Sequence, residues 1–106
     1  MYGPEQPGKW SALVAANCGK RHQFLHAGQR YRVTRQFVDY DRDLHLPGEE
    51  WVFLGYAFLP YDSGMSFFVS LDGVREWHIR LQWIPDEQGE ILDNLANYIA
   101  AVEPAS

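Results

Sequence analysis

A single cysteine, Cys18, leaves no partner for an internal disulfide and no set of thiols for a multi-cysteine metal site. The chain therefore suits a reducing compartment, and a cytoplasmic location is the expectation. No run approaches the roughly 20 apolar residues that span a bilayer, so no membrane association is expected. The apolar stretch 12–16 is too short for a leader, Pro4 and Pro7 precede it, and bulky Asn17 spoils a lipoprotein pattern at Cys18. Glycine-rich phosphate loops, nucleophile motifs and finger-type metal spacings are also missing, so the sequence implies no cofactor and argues against an enzyme. Basic residues are scarce, nine against 14 acids for a net charge of −5, which makes nucleic acid an unfavoured partner. The bases gather early. Residues 1–35 hold six of them and one acid, and the remainder holds three bases and 13 acids, an asymmetry that the fold can neutralise internally.

Apolar residues make up 46% of the 106 positions and aromatics 15%, enough for one core in one domain. Residues 1–8 contain two prolines and two glycines and read as a loose arm. A short helix is expected from Ser11 to Asn17, closed by Gly19, so residues 1–20 form an arm and 21–106 the globular unit.

Strand signals begin at Arg30, where Tyr31, Val33 and Phe37 alternate with polar neighbours. A polar, acidic stretch from Asp39 to Glu50 follows as a structured loop. Trp51 to Leu59 carries no charge and no alternation, which predicts a strand covered on both faces, with a bulge at Gly55. Ser66 to Leu71 and Val74 to Gln82 flank Asp72 and Gly73 as an antiparallel hairpin. After Pro85, Ile91, Leu92, Leu95, Tyr98, Ile99 and Val102 recur at helical spacing and predict a helix over 86–102 capped by Asp86. The fold class expected is mainly β: a small curled antiparallel sheet or SH3-like barrel of four to five strands, closed by that C-terminal helix.

Three constellations bear on function. Asp39, Asp41, Asp43 and Glu50 match several positions of a calcium loop, but Leu44 stands where such a loop needs glycine and strands flank it, so a turn capped by Asp39 or Asp41 is the favoured reading. Glu76, His78 and Arg80 share the polar face of the last strand. If first and last strands pair, Arg30 and Arg32 lie across from them, forming a ligand-binding face or a set of cross-strand ion pairs. His22 and His26 lack a third ligand and read as surface histidines, and Cys18 as a small buried hydrophobe.

The stretches GQRYRV (Gly28 to Val33), FVDYD (Phe37 to Asp41), HLPGEEWVFLG (His45 to Gly55), FLPYDSG (Phe58 to Gly64) and WHIRLQ (Trp77 to Gln82) resemble a family of small bacterial domains of unknown function. The resemblance runs over about residues 24–99 and implies no activity or catalytic residues. Arg42 stands where it implies a glycine.

The activity is left open by the sequence. The best-supported expectation is a non-catalytic protein-binding module of immunity or regulatory type, facing a basic protein partner through Asp39, Tyr40, Asp41, Asp43, Glu49, Glu50 and Tyr61. The competing expectation is a small enzyme or ligand-binding domain using Arg30, Arg32, Glu76, His78 and Arg80. A third class, nucleic-acid binding, would need Lys9, Lys20, Arg21, Arg30 and Arg32 on one face.

Overall fold

The computed structural model describes residues 1–12, 17–59 and 63–102. Most of the expected helix at 11–17, and Tyr61, lie outside the described residues. In chain order the elements are β1 (Tyr2–Glu5), β2 (Cys18–Gly19), β3 (Arg21–His22), β4 (Leu25–His26), β5 (Arg30–Val33), β6 (Phe37–Val38) and β7 (Leu44–His45). There follow β8 (Glu50–Leu59), β9 (Gly64–Ser70), β10 (Glu76–Gln82), helix α1 (Gly89–Asp93), a 3-10 turn (Leu95–Asn97) and β11 (Ile99–Ala101). No described helix is long and apolar enough to cross a membrane.

The fold is mainly β and antiparallel. Its main sheet runs β1-β10-β9-β8-β5-β11, with β2 added to the far end of β8. Among the described residues nothing pairs β1 with β11, so of the two arrangements expected from sequence the open antiparallel sheet forms and the barrel does not. Two small hairpins, β3-β4 and β6-β7, stand beside it.

The uncharged strand β8 is where pattern and structure part most usefully. Trp51 and Phe53 face the core. A bulge between Phe53 and Gly55 then changes the register, so that Tyr56 lies opposite Phe67 and Phe58 opposite Met65. Directly opposed residues of an antiparallel pair share a face, and Met65, Phe67 and Val69 are core residues. The missing alternation thus records a one-residue change of parity together with partial cover on the second face, where Val52 and Leu54 are half-buried. Gly55 is required there, because a Cβ would sit 2.9 Å from the carbonyl oxygen of Gly19.

The apolar residues after Pro85 are buried as the spacing implies, but no helix spans 86–102. Leu92 sits on α1, Leu95 on the 3-10 turn and Ile99 on β11, all at or below 1% exposure. The reason is the open edge of β5. Thr34 N–H donates to the Tyr98 carbonyl (2.7 Å) and Val102 N–H to that of Arg30 (3.0 Å), so the tail satisfies backbone groups a continuing helix would leave unpaired. Asp86 does not cap α1; the residue preceding that helix is Gln88.

The arm is also ordered differently from expectation. Instead of hanging loose, β1 pairs with β10, setting Tyr2 opposite His78 and Glu5 opposite Glu76.

Candidate functional site

The acidic loop folds into the β6-β7 hairpin, and its composition is turned inside out. Phe37 is buried as predicted, but the next inward side chains are Asp39 at 0% and His45 at 1% exposure, while Val38, Tyr40, Leu44 and Leu46 are 39 to 53% exposed. Val38 and Leu44 are cross-strand partners.

Asp39 closes the turn, its Oδ1 accepting the backbone N–H of Asp41 (2.9 Å) and Asp43 (3.0 Å), the capping role expected of it. Its other oxygen accepts a hydrogen bond from His45 Nε2 at 2.8 Å, and His45 Nδ1 donates to Glu49 Oε2 at 2.6 Å. Trp51 Nε1 donates to the same Glu49 oxygen at 3.2 Å, and the Phe37 ring stacks on the imidazole with centroids 4.7 Å apart. Both ring nitrogens face carboxylates, so the doubly protonated ring is the one that fits. Burial opposes that charge, yet the hydrogen bonds and negative charges of Asp39 and Glu49 outweigh it and hold the pKa up to about 9. A ring this buried, and charged to about pH 9, is a clasp rather than a general base for a substrate. Arg42 takes φ 68°, the left-handed conformation that explains why the resemblance implies glycine at this place.

The remaining acids of the loop are also engaged. Asp41 receives Arg80 Nε (3.0 Å) and the Tyr2 hydroxyl (2.8 Å), and the Arg80 bond holds its carboxyl below the usual value. Arg80 lies between the rings of Tyr2 (5.0 Å) and Tyr40 (5.3 Å). Asp43 binds the amino group of Met1, and Glu50 pairs with Arg32 at 2.9 Å. The expected acidic face is therefore largely spent within the chain: Asp43 alone of these acids keeps more than half its side chain exposed.

The face formed by Glu76, His78 and Arg80 exists on β10, but Arg30 and Arg32 do not join it. They lie on β5, with β8 and β9 between. The proposed pairing of first and last strands fails because the edge of β5 goes to β11 and that of β10 to β1. Glu76 is buried beneath the arm. Burial works against its charge, but bonds from Ser11, Gly8 and Trp10 prevail and keep its carboxyl below the ordinary value. His78 bonds Ser66 Oγ (2.7 Å) and lies under the Trp10 ring at 5.3 Å. A shallow cavity of about 170 Å³ opens beside Arg80, bordered by Tyr40, Leu59 and Ser66.

Burial, helped by the charge of Arg80, pushes the His78 pKa down to about 4 from 6.5. The unfolded chain therefore binds a proton that the folded one refuses between these values, and stability is lost as pH falls from 6.5 towards 4. Urea unfolding of His78→Gln is expected to show a smaller drop between pH 6.5 and 4.5 than the unaltered chain, by on the order of 2 kcal/mol. An unchanged drop would place the acid sensitivity elsewhere.

With the geometry in place, comparison with known proteins adds a family. A model described as Domain of unknown function (DUF3601) matches residues 13–104. The chain belongs to the DUF3601 family. A solved structure, an integron cassette protein from the mobile metagenome of Vibrio cholerae, is 37% identical with a TM-score of 0.76, over 79% of this chain and 92% of that one. No curated protein matches significantly. The family agrees with the resemblance read from the sequence and assigns no activity to any residue of this DUF3601 chain.

The sequence reading missed His45, because the stretch from Asp39 to Glu50 reads as a polar loop with no periodicity to mark an inward side chain. The available signal was the spacing of His45 to Glu49, four residues on, and to Asp39, six residues before. His22 is half-buried, not superficial: its ring packs near Tyr56 (5.4 Å) and Phe67 (5.6 Å), and burial lowers its pKa. Cys18 is half-buried in β2.

Proposed function

We propose that this chain is a non-catalytic protein-binding module that docks through the outer face of the β6-β7 hairpin. The carrying observation is the inversion of that hairpin: a charged Asp39-His45-Glu49 clasp inside, and Val38, Tyr40, Leu44 and Leu46 outside. A fold normally spends its apolar side chains on its own core, and a local reversal of that rule belongs where another surface is to be covered. Beside the hairpin, Tyr2, Arg80 and Tyr40 form a stacked group of the residue types that anchor protein interfaces. The clasp gives the hairpin a rigid base, which reduces the ordering cost of association.

The partner in this reading is a protein chosen by apolar and aromatic contact. Basic charge on it counts for less than the sequence suggested, because Asp39, Asp41, Glu49 and Glu50 already have partners within the chain. An immunity-type or regulatory role, in which the chain acts by occupying another protein's surface, suits a small module with such a face.

Leu44→Ser with Leu46→Ser and Val38→Thr is expected to change unfolding free energy by no more than about 1 kcal/mol, since the side chains are exposed. Quantitative cross-linking in cells of the native host should show a defined partner with the unaltered chain and its loss with the triple variant. Identical cross-link patterns for the two would remove the reading.

A further inference from the structure

The segment that precedes the family match is bound to the domain as a ligand would be. The family model begins at residue 13, and residues 1–12 reach the domain through the Met1 amino group, which binds Asp39 and Asp43, and at three places on or beside β10. First, Glu76 accepts the backbone N–H groups of Gly8 (2.6 Å), Trp10 (3.0 Å) and Ser11 (3.0 Å), together with the Ser11 hydroxyl. Second, the Trp10 ring lies parallel to Phe68, 6.3 Å between centroids and 9° between planes, and tilts over His78. Third, the Tyr2 hydroxyl donates to Asp41 and accepts from Arg80 Nη2 at 3.0 Å. The receiving groups in all three places belong to the matched domain, and the groups received belong to the arm.

The backbone contact has the form of an added strand. β1 lies antiparallel on the outer edge of β10, and its register is interrupted between Tyr2 and Glu5. An interrupted four-residue strand covers that edge less well than the regular ladder on its other side, where β9 pairs with β10 from Gln82 to Trp77. Tyr2 itself remains half-exposed. A carboxylate aimed at a turn of backbone N–H groups, an aromatic shelf and a strand edge that β1 covers only in part together make the parts of a peptide-binding groove.

We propose that the β10 edge of this domain is an acceptor groove for an extended segment of a partner protein, held closed in this chain by its own residues 1–12. The arm states the chemistry that the groove takes: an extended strand opening with an aromatic hydroxyl for Arg80 and Asp41, then a glycine turn whose N–H groups meet Glu76, then a flat aromatic ring for Phe68 and His78. Because the arm is tethered, it competes at a high effective concentration, and a partner segment enters where it is displaced. This groove shares Tyr2 and Arg80 with the group beside the hairpin, but it does not use Val38, Leu44 and Leu46, which the test below leaves untouched.

The probe is a synthetic peptide with the sequence of residues 1–12, fluorescently labelled at its C-terminal end and titrated with full-length protein while anisotropy is read. Tyr2→Ala with Trp10→Ala weakens the arm without altering the groove, and this variant is expected to bind the peptide at least about tenfold more tightly than the unaltered chain. Adding Glu76→Gln should remove about tenfold of that gain, and a peptide carrying alanine in place of its tryptophan should bind weakly to every form. Absence of peptide binding by an arm variant that still unfolds cooperatively would overturn the proposal. Tyr2→Ala alone, at a half-exposed position, serves the same comparison if the double variant is not folded. A dimer of the unaltered chain that the peptide dissociates would assign the groove to a second copy and overturn the partner assignment.

Discussion

Replacement of His45 by glutamine is expected to lower the unfolding free energy of the domain by about 3 kcal/mol near pH 6.5, because it leaves two carboxylates facing a cavity without their cation. Asp39 is wholly buried and keeps its backbone bonds and a longer contact with the Met1 amino group (3.4 Å); Glu49 keeps Trp51. The pH dependence separates this effect from simple loss of packing. The folded pKa of His45 is raised from 6.5 to about 9, first against burial and then through the bonds and charges of Asp39 and Glu49. A raised pKa means that the folded state holds the proton more tightly. Its contribution is complete below pH 6.5 and declines as pH rises through about 9. The unaltered domain should therefore lose about 3 kcal/mol across that interval, and His45→Gln should be nearly flat there. Urea unfolding at pH 6.5, 8 and 9.5 makes the measurement. A variant that keeps the full decline would show that another group titrates.

The second large effect lies at the other end of the chain. Ending the polypeptide after Pro85 is expected to abolish cooperative folding, because Leu92, Leu95, Tyr98 and Ile99 all sit in the core. Truncation of one such side chain costs about 2 to 5 kcal/mol, so losing four costs about as much as the 5 to 15 kcal/mol that holds a typical domain together. The cut also strips β11 from β5 and leaves an exposed strand edge that invites association between molecules. The fragment should lack near-ultraviolet circular dichroism and bind hydrophobic dyes. A soluble 1–85 fragment with a sharp unfolding transition would contradict this. In the full-length chain, Leu95→Ala should cost about 2 to 5 kcal/mol on its own.

These two sites differ in how far they could be read in advance. The tail was correctly expected to cover the core, because Leu92, Leu95, Tyr98 and Ile99 are too apolar to face water. The wrong element was assigned because helical spacing describes which side chains are buried and carries no information about a strand edge contributed by residues 30–33. At β8 the bulge at Gly55 was legible from the glycine itself, whereas its effect on parity required the partner strand β9. The hairpin resisted sequence reading most. Inward histidine and outward leucine reverse the pattern on which such reading depends, and the clasp that makes the reversal tolerable joins His45 on β7 to Asp39, just past β6, and to Glu49.

By itself, the sequence determined the composition-level properties: a mainly β fold with a single cysteine, the turns at Asp39 and at Asp72 and Gly73, and the family to which the chain belongs. Such features rest on local conformational preference and on the total apolar surface to be hidden, and both are carried by neighbouring residues. Tertiary structure alone decided that the sheet stays open, that the tail ends as a strand and that the acids of the loop are spent on His45, Arg80 and Arg32. It also decided that the arm lies against Glu76. Each of these depends on hydrogen bonds or ion pairs between segments far apart in sequence, whose partners are chosen by what the rest of the fold leaves unsatisfied.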